Sequence, residues 1–554
     1  MIESRVTRTE IVTEAGLCVA GSETGARAGA RLLAAGGNAN DAVVAAAFVA
    51  YVVEPWNCGP GGYGHLALHF APAGEFVTID HYVRAPAAAR PDMYELDPGS
   101  SETYYGWPET LGRRNVIGAL ACAVPGAVAG LCLAHERYGV LPLPEVLAPA
   151  IEAADSGLLV TWELLYHIAG RMEELQAQPH AAELLLPDGR PPAFESRLDL
   201  SALGQTLRLI AERGPSGFYD GPVAAAIERT VSAQGGILTS TDLAAYRARL
   251  LHERPQRYRG LEYVTAFDQV SYEALNILAC FDLPALDHEG VEYRHLVAEA
   301  LAHAYVDNMT HYGDPEVVGS PVDGLASEEF ARTRAETIQR TRAAPRPVAA
   351  ADPWPYARSH AEASVGGVSG TSQVVTADRD GSMAALCTSI SADFGSCVLV
   401  PGTGVFLNNG MGNFDPRPDR MNAIAPGKMP IFAAPALVAA RNGRAVFAAS
   451  GSGGYRITTA VLHTLSGVVD AGRGVQEAAE APRVHCQGRE TFVDARIPAA
   501  VVDGLAALGH DVVVQAAQPA VTHPFGRVCA ILRDADGACR SGSDPAATTA
   551  AAGL

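Results

Sequence analysis

Apolar runs and alternating apolar and polar positions divide the chain into predicted helices and strands. Residues 25–53 are rich in alanine, and the glycine, asparagine and aspartate residues at 36–41 interrupt them. This pattern predicts two helices joined by a turn that supplies capping residues. Residues 65–70 predict a strand, and the alternating runs 372–376 and 383–388 predict two more. Both kinds of element therefore contribute to the fold.

Turn-forming residues mark the boundaries of other segments. Residues 124–154 predict a helical layer broken by turns. Residues 343–370 contain four prolines followed by a serine- and glycine-rich run, which predicts an exposed connector. The alanine- and threonine-rich residues after Pro545 predict a flexible end.

Composition limits the classes of protein to consider. The chain has 554 residues, of which 48% are hydrophobic and 18% charged, typical of a globular protein with a large core. Its formal net charge of −20 argues against nucleic acid or an anionic membrane as partner. The apolar run 42–53 is shorter than the roughly 20 residues that a membrane-spanning helix needs. Residues 1–14 lack the apolar core of a secretory signal, so we expect a cytoplasmic protein.

The ten cysteines include no CxxC pair, and in the expected compartment they should be reduced. We expect them to be small buried hydrophobic residues. Cys387 and Cys397 lie close to the candidate chemistry described below, but no cationic neighbour in the sequence suggests a reactive thiol.

Neither a metal nor an organic cofactor is predicted. The chain has no HExxH motif, and His65, His69, His303 and His311 lack a matching set of carboxylates. Residues 59–64 contain a GxGxxG spacing, but they follow a predicted helix and include a proline, which disfavours a dinucleotide site. The glycines are better explained by a close approach of backbone to the strand 65–70.

The predicted strand 372–376 begins with Ser372 and is preceded by the small residue Gly370 and the hydroxyl residue Thr371. Gly370 leaves its carbonyl sterically open, so the Thr371 hydroxyl could attack that carbonyl and shift the acyl group from nitrogen to oxygen. Hydrolysis of the resulting ester would release Thr371 as a new N-terminus. A free α-amine, with a pKa of about 7.7 to 8.0, can accept the hydroxyl proton near neutral pH. By itself, the pattern would equally suit a turn that leads into a strand.

Three further runs in the last third of the chain strengthen the catalytic interpretation. Residues 407–411, 422–428 and 451–457 read LNNGM, NAIAPGK and GSGGYRI. With Thr371 they resemble the small-subunit half of the gamma-glutamyltranspeptidase family, and the resemblance extends over about residues 10 to 545. It implies an N-terminal nucleophile hydrolase with a four-layer αββα sandwich, an α+β fold. Self-cleavage would yield a large subunit, 1–370, and a small one, 371–554, in one integrated fold, with a homodimer left open.

The resemblance also implies catalytic roles. Thr371 matches the family's nucleophile, and Gly370 precedes the bond that is cleaved. Ser389 falls where the family has a second threonine that hydrogen-bonds the nucleophile, and serine retains that hydroxyl. Gly453 and Gly454 match the pair whose N–H groups form the oxyanion hole, where a side chain would block close approach. A tight turn is the alternative explanation for that pair.

The substrate-binding positions depart from the family. Its arginine for the α-carboxylate falls at Tyr82, with Arg84 two residues away on the same face of an extended segment. Arg84 has a second interpretation, as a salt bridge at a strand end. The family's acidic residue for the α-amino group falls at Asn413. The remaining family positions, a glutamine, an asparagine and a serine pair, fall at Gly410, at Ser391 and in an apolar run that includes Phe432 and Ala433.

These departures affect the expected substrate. Burying an amino acid's two charges without partners costs several kcal/mol, so the pocket should discriminate against glutathione. We expect a gamma-glutamyl or related acyl amide as substrate, with water or an amine as acceptor. A non-glutamyl acyl amide is the first alternative. The second is an unprocessed protein that binds a metabolite, which the unusual Ser372 and Gln373 favour.

Overall fold

The computed structural model describes residues 7–100, 106–266, 268–357, 370–431, 434–516, 525–545 and 548–554. The strands of this part of the chain are β1 (Val12–Thr13), β2 (Gly16–Ala20), β3 (Tyr63–Phe70), β4 (Glu75–His81), β5 (Leu158–Leu159), β6 (Arg197–Leu198), β7 (Arg249–His252), β8 (Gln256–Tyr258), β9 (Leu261–Thr265), β10 (Gly370–Asp378), β11 (Met383–Ser391), β12 (Leu399–Val400), β13 (Val405–Phe406), β14 (Leu437–Arg441), β15 (Arg444–Ser452), β16 (Val484–Cys486), β17 (Thr491–Asp494), β18 (Val512–Gln515), β19 (Arg527–Arg533), β20 (Cys539–Ser543) and β21 (Ala550–Gly553).

The α-helices are α1 (Glu23–Ala34), α2 (Ala39–Val53), α3 (Ala127–Tyr138), α4 (Leu143–Ser156), α5 (Trp162–Gly170), α6 (Met172–Gln176), α7 (Pro179–Leu185), α8 (Ser201–Arg213), α9 (Ser216–Tyr219), α10 (Gly221–Ala233), α11 (Ser240–Ala245), α12 (Gln269–Ala279), α13 (Val291–His311), α14 (Val322–Leu325), α15 (Glu328–Thr337), α16 (Arg456–Val469), α17 (Val475–Glu480) and α18 (Ala499–Ala507). Among the described residues, no helix is long and apolar enough to cross a membrane.

Two seven-stranded antiparallel sheets lie face to face. Sheet I has the strand order β21-β2-β10-β11-β3-β4-β7, and sheet II has the order β1-β20-β19-β15-β14-β9-β8. Strands β10 and β11 pack against β15 across the interface between the sheets. Helices α1, α2 and α3 cover the outer face of sheet I, and α12, α16 and α17 cover the outer face of sheet II. The predicted αββα sandwich is therefore confirmed, and each sheet contains strands from both sides of Gly370.

Local sequence signals explain the first helices. The Asn38 side chain accepts hydrogen bonds from the backbone at the start of α2, and the Asp41 carboxylate accepts one from the Asn38 N–H. This reciprocal arrangement satisfies backbone donors that a helix start leaves unpaired. The two helices and the intervening turn predicted for residues 25–53 are confirmed.

The strands at the centre of sheet I are buried on both faces, so alternation decides which side chains face sheet II. On β10, Val375 and Ala377 join the apolar core between the sheets, whereas Val374 joins the core beneath the helices. Odd-numbered residues of β3 and β11 likewise face sheet II. This parity places particular polar side chains between the sheets.

The glycine-rich loop before β3 lies against β11. A Cβ on Gly62 would lie 2.2 Å from the carbonyl oxygen of Ser389, and one on Gly61 would lie 2.3 Å from that of Phe406. Only glycine permits backbones to approach so closely. The glycines do permit a close approach of backbone, but its partners are β11 and β13 rather than the predicted strand 65–70.

Two terminal or connecting segments differ from expectation. The end of the chain is not free, since β21 pairs with β2 and the Leu554 N–H donates to the Gly16 carbonyl at 3.2 Å. The predicted flexible end is wrong there because β2 would otherwise be an open sheet edge. The connector begins with an anchored stretch in which Val348 is buried and its N–H donates to the Gly488 carbonyl at 2.8 Å. The prediction of an exposed connector is therefore not met throughout residues 343–357. Residues 358–369 lie outside the described part of the chain.

Nine of the ten cysteines are buried, as predicted, whereas Cys280 at the end of α12 is exposed. Burial raises the pKa of the Cys387 thiol well above its ordinary value, and it raises that of Cys397 to about 11. Neither thiol is therefore activated. Cys387 lies on β11, but Cys397 lies in the following loop rather than on a strand.

Candidate active site

Three hydroxyl-bearing residues form a row across the middle of sheet I. Thr371 on β10 lies opposite Ser389 on β11, and Ser389 lies opposite Tyr63 on β3. All three are odd-numbered residues of strands whose odd positions face sheet II, and all are buried. The fold therefore brings the predicted nucleophile and its predicted hydroxyl partner together, and it adds a tyrosine that sequence analysis missed.

Thr371 is enclosed, with 2% of its surface exposed, and its hydroxyl makes no hydrogen bond to the residues described. The strand pairing is irregular between Gly370 and Thr371, so the bond before the hydroxyl interrupts the regular ladder. An unpaired hydroxyl is available for attack on a carbonyl, whereas a satisfied one would first have to break a bond. The geometry suits a nucleophile at the start of β10.

Ser389 is fixed by the backbone beside it. Its hydroxyl oxygen accepts a hydrogen bond of 2.8 Å from the Ser391 N–H. The Gly62 backbone lies directly behind Ser389, as described above. These contacts fix Ser389 in the row, but the hydrogen bond to Thr371 that the family resemblance implies is not formed, since the Thr371 hydroxyl makes none to the described residues.

Gly453 and Gly454 lie where β15 ends and α16 begins. Their φ angles are +122° and +63°, values that favour glycine. Their carbonyls accept from the N–H groups of Arg456 and Ile457 and so point into the helix. Among the described residues, no acceptor pairs with the Gly454 N–H. This N–H group therefore suits the predicted oxyanion hole.

Packing between the sheets indicates which end of β15 approaches Thr371. The Cys387 thiol on β11 lies 4.0 Å from the Gly451 carbonyl oxygen, and Gln373 donates to the Cys529 sulfur at 3.6 Å. Cys529 pairs with Ser450 on β15. On β15, the residues that follow Ser450 lead to Gly453 and Gly454. On β10, the residues that precede Gln373 lead back to Thr371.

Four uncharged polar side chains meet at the end of the row that Tyr63 forms. We call them the neutral quartet: Tyr63, Tyr82, Ser391 and Asn413. The Asn413 amide nitrogen donates to the hydroxyl oxygens of Tyr63, Tyr82 and Ser391 at 3.1, 3.0 and 3.2 Å, respectively. The Tyr63 and Ser391 hydroxyls also contact each other. Burial raises the pKa of the Tyr63 phenol well above its ordinary value, so it remains protonated at neutral pH. Three of the four were predicted from the sequence.

Tyr82 is held from three sides. Its ring stacks on the His65 ring with centroids 5.1 Å apart, and its N–H donates to an Asp80 carboxyl oxygen at 3.0 Å. Its carbonyl accepts from the Tyr246 hydroxyl at 2.6 Å. Burial lowers the pKa of His65 to about 3, so the stacked imidazole is neutral. Neither ring of this stack brings a charge to the neutral quartet.

Arg84 is engaged in an ionic network. Its guanidinium lies 3.3 Å from carboxyl oxygens of Asp80, Asp314 and Glu316. Arg249 contacts the Asp80 and Glu316 carboxylates as well. Burial alone would raise the pKa of Asp80, but Arg84 and Arg249 lower it to about 2. These contacts favour the salt-bridge interpretation of Arg84.

Of the remaining predicted pocket residues, Gly410 lies close to Val83, the neighbour of Arg84. Gly410 begins a short 3-10 helix, Gly410–Asn413, and a Cβ on Gly410 would lie 2.8 Å from the Val83 side chain. Phe432 and Ala433 lie outside the described residues. Their neighbour Ile431 is buried, and its N–H donates to the Asn422 side chain at 2.9 Å.

The loop after Ser391 has an unusual backbone. Ser391, Phe394 and Cys397 have φ angles of +75°, +57° and +63°. Such conformations are costly for residues other than glycine and persist where neighbouring structure enforces them. Here the His167 imidazole and the Asp393 carboxylate pair at 2.8 Å, and the His167 ring stacks on Trp56. These contacts hold the loop that follows Ser391.

One other cluster contains residues typical of metal sites. Among the described residues, ligand atoms of His295, Glu299 and His510 lie within 4.8 Å of one another. The two imidazoles contact at 2.7 Å, and His295 also bonds the Gln339 carbonyl at 2.8 Å. The Arg346 guanidinium contacts the Glu299 carboxylate and so already supplies a positive charge. We interpret the cluster as a hydrogen-bonded bridge between the segments on either side of Gly370.

Comparison with known proteins shows close relatives over most of the chain. The family model for gamma-glutamyltranspeptidase matches residues 25–554. An acylase ACY 1 proenzyme of Pseudomonas sp. (strain SE83) is 37% identical over 505 residues, covering 90% of this chain and 87% of that protein. A glutathione hydrolase proenzyme of Pseudomonas sp. (strain A14) is 31% identical over 492 residues, covering 86% and 82%. The crystal structure of cephalosporin acylase from Bacillus halodurans superposes with a TM-score of 0.86 at 27% identity, covering 100% and 98%.

Proposed function

Because the chain belongs to the gamma-glutamyltranspeptidase family, we propose that it is a self-processing acylase whose nucleophile is Thr371. Its substrate is an amide whose acyl group lacks the α-ammonium of a γ-glutamyl group. The single observation that carries this specificity is the neutral quartet, four uncharged side chains that meet at the Tyr63 end of the row containing Thr371. Relatives named as acylase and as glutathione hydrolase support the reaction class, amide hydrolysis or acyl transfer.

Processing begins within the intact chain. The Thr371 oxygen bonds to the Gly370 carbonyl carbon, the carbon–nitrogen bond breaks, and the hydroxyl proton ends on the Thr371 nitrogen. Water then hydrolyses the ester, leaving a carboxylate on Gly370 and a free amine on Thr371. That amine is the base for later turnovers, since its pKa of about 7.7 to 8.0 suits proton transfer near neutral pH.

Turnover repeats the same chemistry on an external amide. The Thr371 oxygen attacks the substrate carbonyl while the α-amine takes its proton. The N–H groups of Gly453 and Gly454 stabilise the oxyanion, and the amine product leaves from an acyl-enzyme ester. Water completes hydrolysis, whereas a second amine completes transfer.

The neutral quartet supports an acyl group that carries oxygen atoms rather than an amino group. Tyrosine and serine hydroxyls and an amide can each donate a hydrogen bond to a carbonyl or carboxylate oxygen. An ammonium group at the same place would be buried without a carboxylate partner in the quartet, at a cost of several kcal/mol. A dicarboxylic monoamide fits these donors better than a γ-glutamyl amide does.

A γ-glutamyl amide remains the second candidate. The similarity to the glutathione hydrolase proenzyme favours it. Under this alternative, residues outside the quartet would have to hold the α-ammonium group.

Processing is tested by comparing wild type with Thr371→Ala after incubation at neutral pH, by intact mass and N-terminal sequencing. We expect two fragments, the smaller beginning at Thr371, in wild type only. A single intact chain in both proteins would refute the self-processing mechanism and favour the alternative of an unprocessed metabolite-binding protein.

Specificity is tested with two anilides that differ only in the α-amino group, glutaryl-p-nitroanilide and γ-glutamyl-p-nitroanilide. We expect kcat/KM to be at least about 10²-fold higher for the glutaryl compound, because several kcal/mol of desolvation oppose the ammonium group. Equal values, or a preference for the γ-glutamyl compound, would contradict the proposed substrate class.

A further inference from the structure

Glu54 is a carboxyl group buried behind the nucleophile strand and has no role in the chemistry described above. It ends α2, where its N–H donates to the Ala50 carbonyl, and only 5% of its surface is exposed. Its own carbonyl accepts from the N–H groups of Asn57 and Cys58 at 2.9 and 3.2 Å. The helix end and the following turn thus fix the Glu54 backbone.

The Glu54 carboxyl faces Ser372, the residue after the nucleophile. A Cβ placed on Gly21 would lie 2.8 Å from the Ser372 hydroxyl oxygen and 2.9 Å from a Glu54 carboxyl oxygen, so both groups meet above this glycine. The Gly21 N–H donates to the Gln373 carbonyl at 3.1 Å. Because side chains alternate along a strand, Ser372 points away from the interface between the sheets that Thr371 faces. Glu54 therefore supports β10 from behind Thr371.

The same turn also supports β11. The Asn57 amide donates to a Glu54 carboxyl oxygen at 3.3 Å, and the Asn57 carbonyl accepts from the Ile390 N–H at 3.1 Å. Ile390 directly follows Ser389. One short segment of the large subunit therefore contacts both strands of the small subunit that carry the predicted nucleophile and its hydroxyl partner.

The buried surroundings of Glu54 shift the pKa of its carboxyl. Burial raises the pKa of the Glu54 carboxyl, and the nearby Glu163 raises it further, while the Ser372, Asn57 and Ser22 side chains act in the opposite direction. Arg527 is 3.6 Å from Glu163. Glu54 therefore lies in a buried group of charges that also includes Glu163 and Arg527.

We propose that Glu54 is a positioning residue that acts through Ser372 and Asn57 to hold the start of β10 in register with β11. In this role it sets the direction of the Thr371 hydroxyl, first toward the Gly370 carbonyl and then toward the substrate. The close approach of the Glu54 side chain to Ser372 and its hydrogen bond from Asn57 carry the effect. The inference rests on the proposed function, since it assumes that Thr371 is the nucleophile.

The test compares Glu54→Ala and Glu54→Gln in the full chain, with wild type and Thr371→Ala measured in parallel. We expect Glu54→Ala to slow processing at least about 10-fold and, once processed, to lower kcat by a similar factor with KM for the anilide unchanged. Glu54→Gln should restore most of both rates, because glutamine keeps the length and shape of the side chain and an oxygen that accepts from Asn57. A general loss of packing would not be expected to spare Glu54→Gln, nor to lower kcat while KM stays unchanged.

Glu253→Ala is the matched control, since it removes another largely buried carboxyl of the large subunit, bonded to Thr78 at 2.7 Å at the edge of sheet I. We expect this variant to process at the wild-type rate. If Glu54→Ala fails to fold, Ser372→Ala replaces it, and a lower kcat with an unchanged melting temperature is then the supporting result.

Two outcomes would overturn the inference while leaving the proposed function intact. One is a processing rate and a kcat in Glu54→Ala that both equal the wild-type values. If Glu54→Ala does not fold, the same result in Ser372→Ala overturns the inference. The other is a Glu54→Gln variant as slow as Glu54→Ala, which would assign the effect to a negative charge. Absence of cleavage in wild type would instead refute the proposed function itself.

Discussion

Thr371 and Ser389 lie directly opposite each other on adjacent antiparallel strands and face the same side of sheet I. The two residues are eighteen positions apart in the sequence, yet the tight connection between β10 and β11 aligns them. Tyr63 extends the row from a strand that belongs to the other segment of the chain. The arrangement links the nucleophile on one side to the neutral quartet on the other.

Removing the Ser389 hydroxyl should impair the nucleophile. We expect Ser389→Ala to lower both the processing rate and kcat by roughly 10²-fold, because a positioned hydrogen-bonding group that assists proton transfer commonly contributes that much. Ser389→Thr is the matched control and should remain within a few-fold of wild type, since it keeps the hydroxyl. Processing followed by intact mass checks this. Wild-type rates in Ser389→Ala would remove Ser389 from the mechanism.

Introducing a charge into the neutral quartet should change the substrate preference. Asn413→Asp places a carboxylate beside Tyr63, Tyr82 and Ser391. We expect the ratio of kcat/KM for γ-glutamyl-p-nitroanilide over glutaryl-p-nitroanilide to rise at least about 10-fold, since a new carboxylate attracts the ammonium and repels carboxylates. Asn413→Ala separates loss of the amide from gain of the charge. An unchanged ratio in Asn413→Asp would place the acyl group elsewhere.

Arg84 should matter for stability more than for binding. Its guanidinium contacts three carboxylates, of which Asp80 and Asp314 are buried. We expect Arg84→Gln to lower the free energy of unfolding by about 1–3 kcal/mol, because buried carboxylates lose a partner while Arg249 remains. KM for glutaryl-p-nitroanilide should stay within about 2-fold of wild type. A KM increase with unchanged denaturant unfolding would assign Arg84 to the substrate.

Buried histidines should make the protein sensitive to acid. Burial lowers the pKa of His463 and of His485 to about 3, with further lowering by Arg483 and Arg456, respectively. Between the unfolded pKa of about 6.5 and these values, the unfolded chain binds more protons than the folded one, so stability falls as the pH falls. Each histidine contributes up to about 1.4 kcal/mol per pH unit in this window.

The pH effect is measured by urea unfolding of the intact Thr371→Ala chain between pH 7.5 and 4.5. We expect the midpoint to fall with pH below about 6.5, and less steeply when His463→Gln removes one titrating group. A midpoint that does not change over this range would show that these imidazoles are not held neutral in the folded state.

Local signals in the sequence were enough to determine several features of this protein. The capping pair Asn38 and Asp41 specifies the start of α2, and the small residue before Thr371 suggested the bond at which we propose self-cleavage. Gly453 and Gly454 were predicted as a pair from the family resemblance, and the structure adds that both have positive φ angles, which favour glycine. The capping signal and the small residue before Thr371 involve only a few neighbouring residues, so they can be read without knowing the fold.

Other features depended on contacts between distant segments, and only the tertiary structure decided them. Tyr63 joins Ser391 and Asn413 through the register of β3 against β11, which alternation along one strand does not specify. Arg84 is paired because Asp314, 230 residues away, reaches it. The C-terminal residues form β21 because β2 offers an edge there. The sequence by itself determined which residues are suited to the chemistry, and long-range packing decided which of them meet.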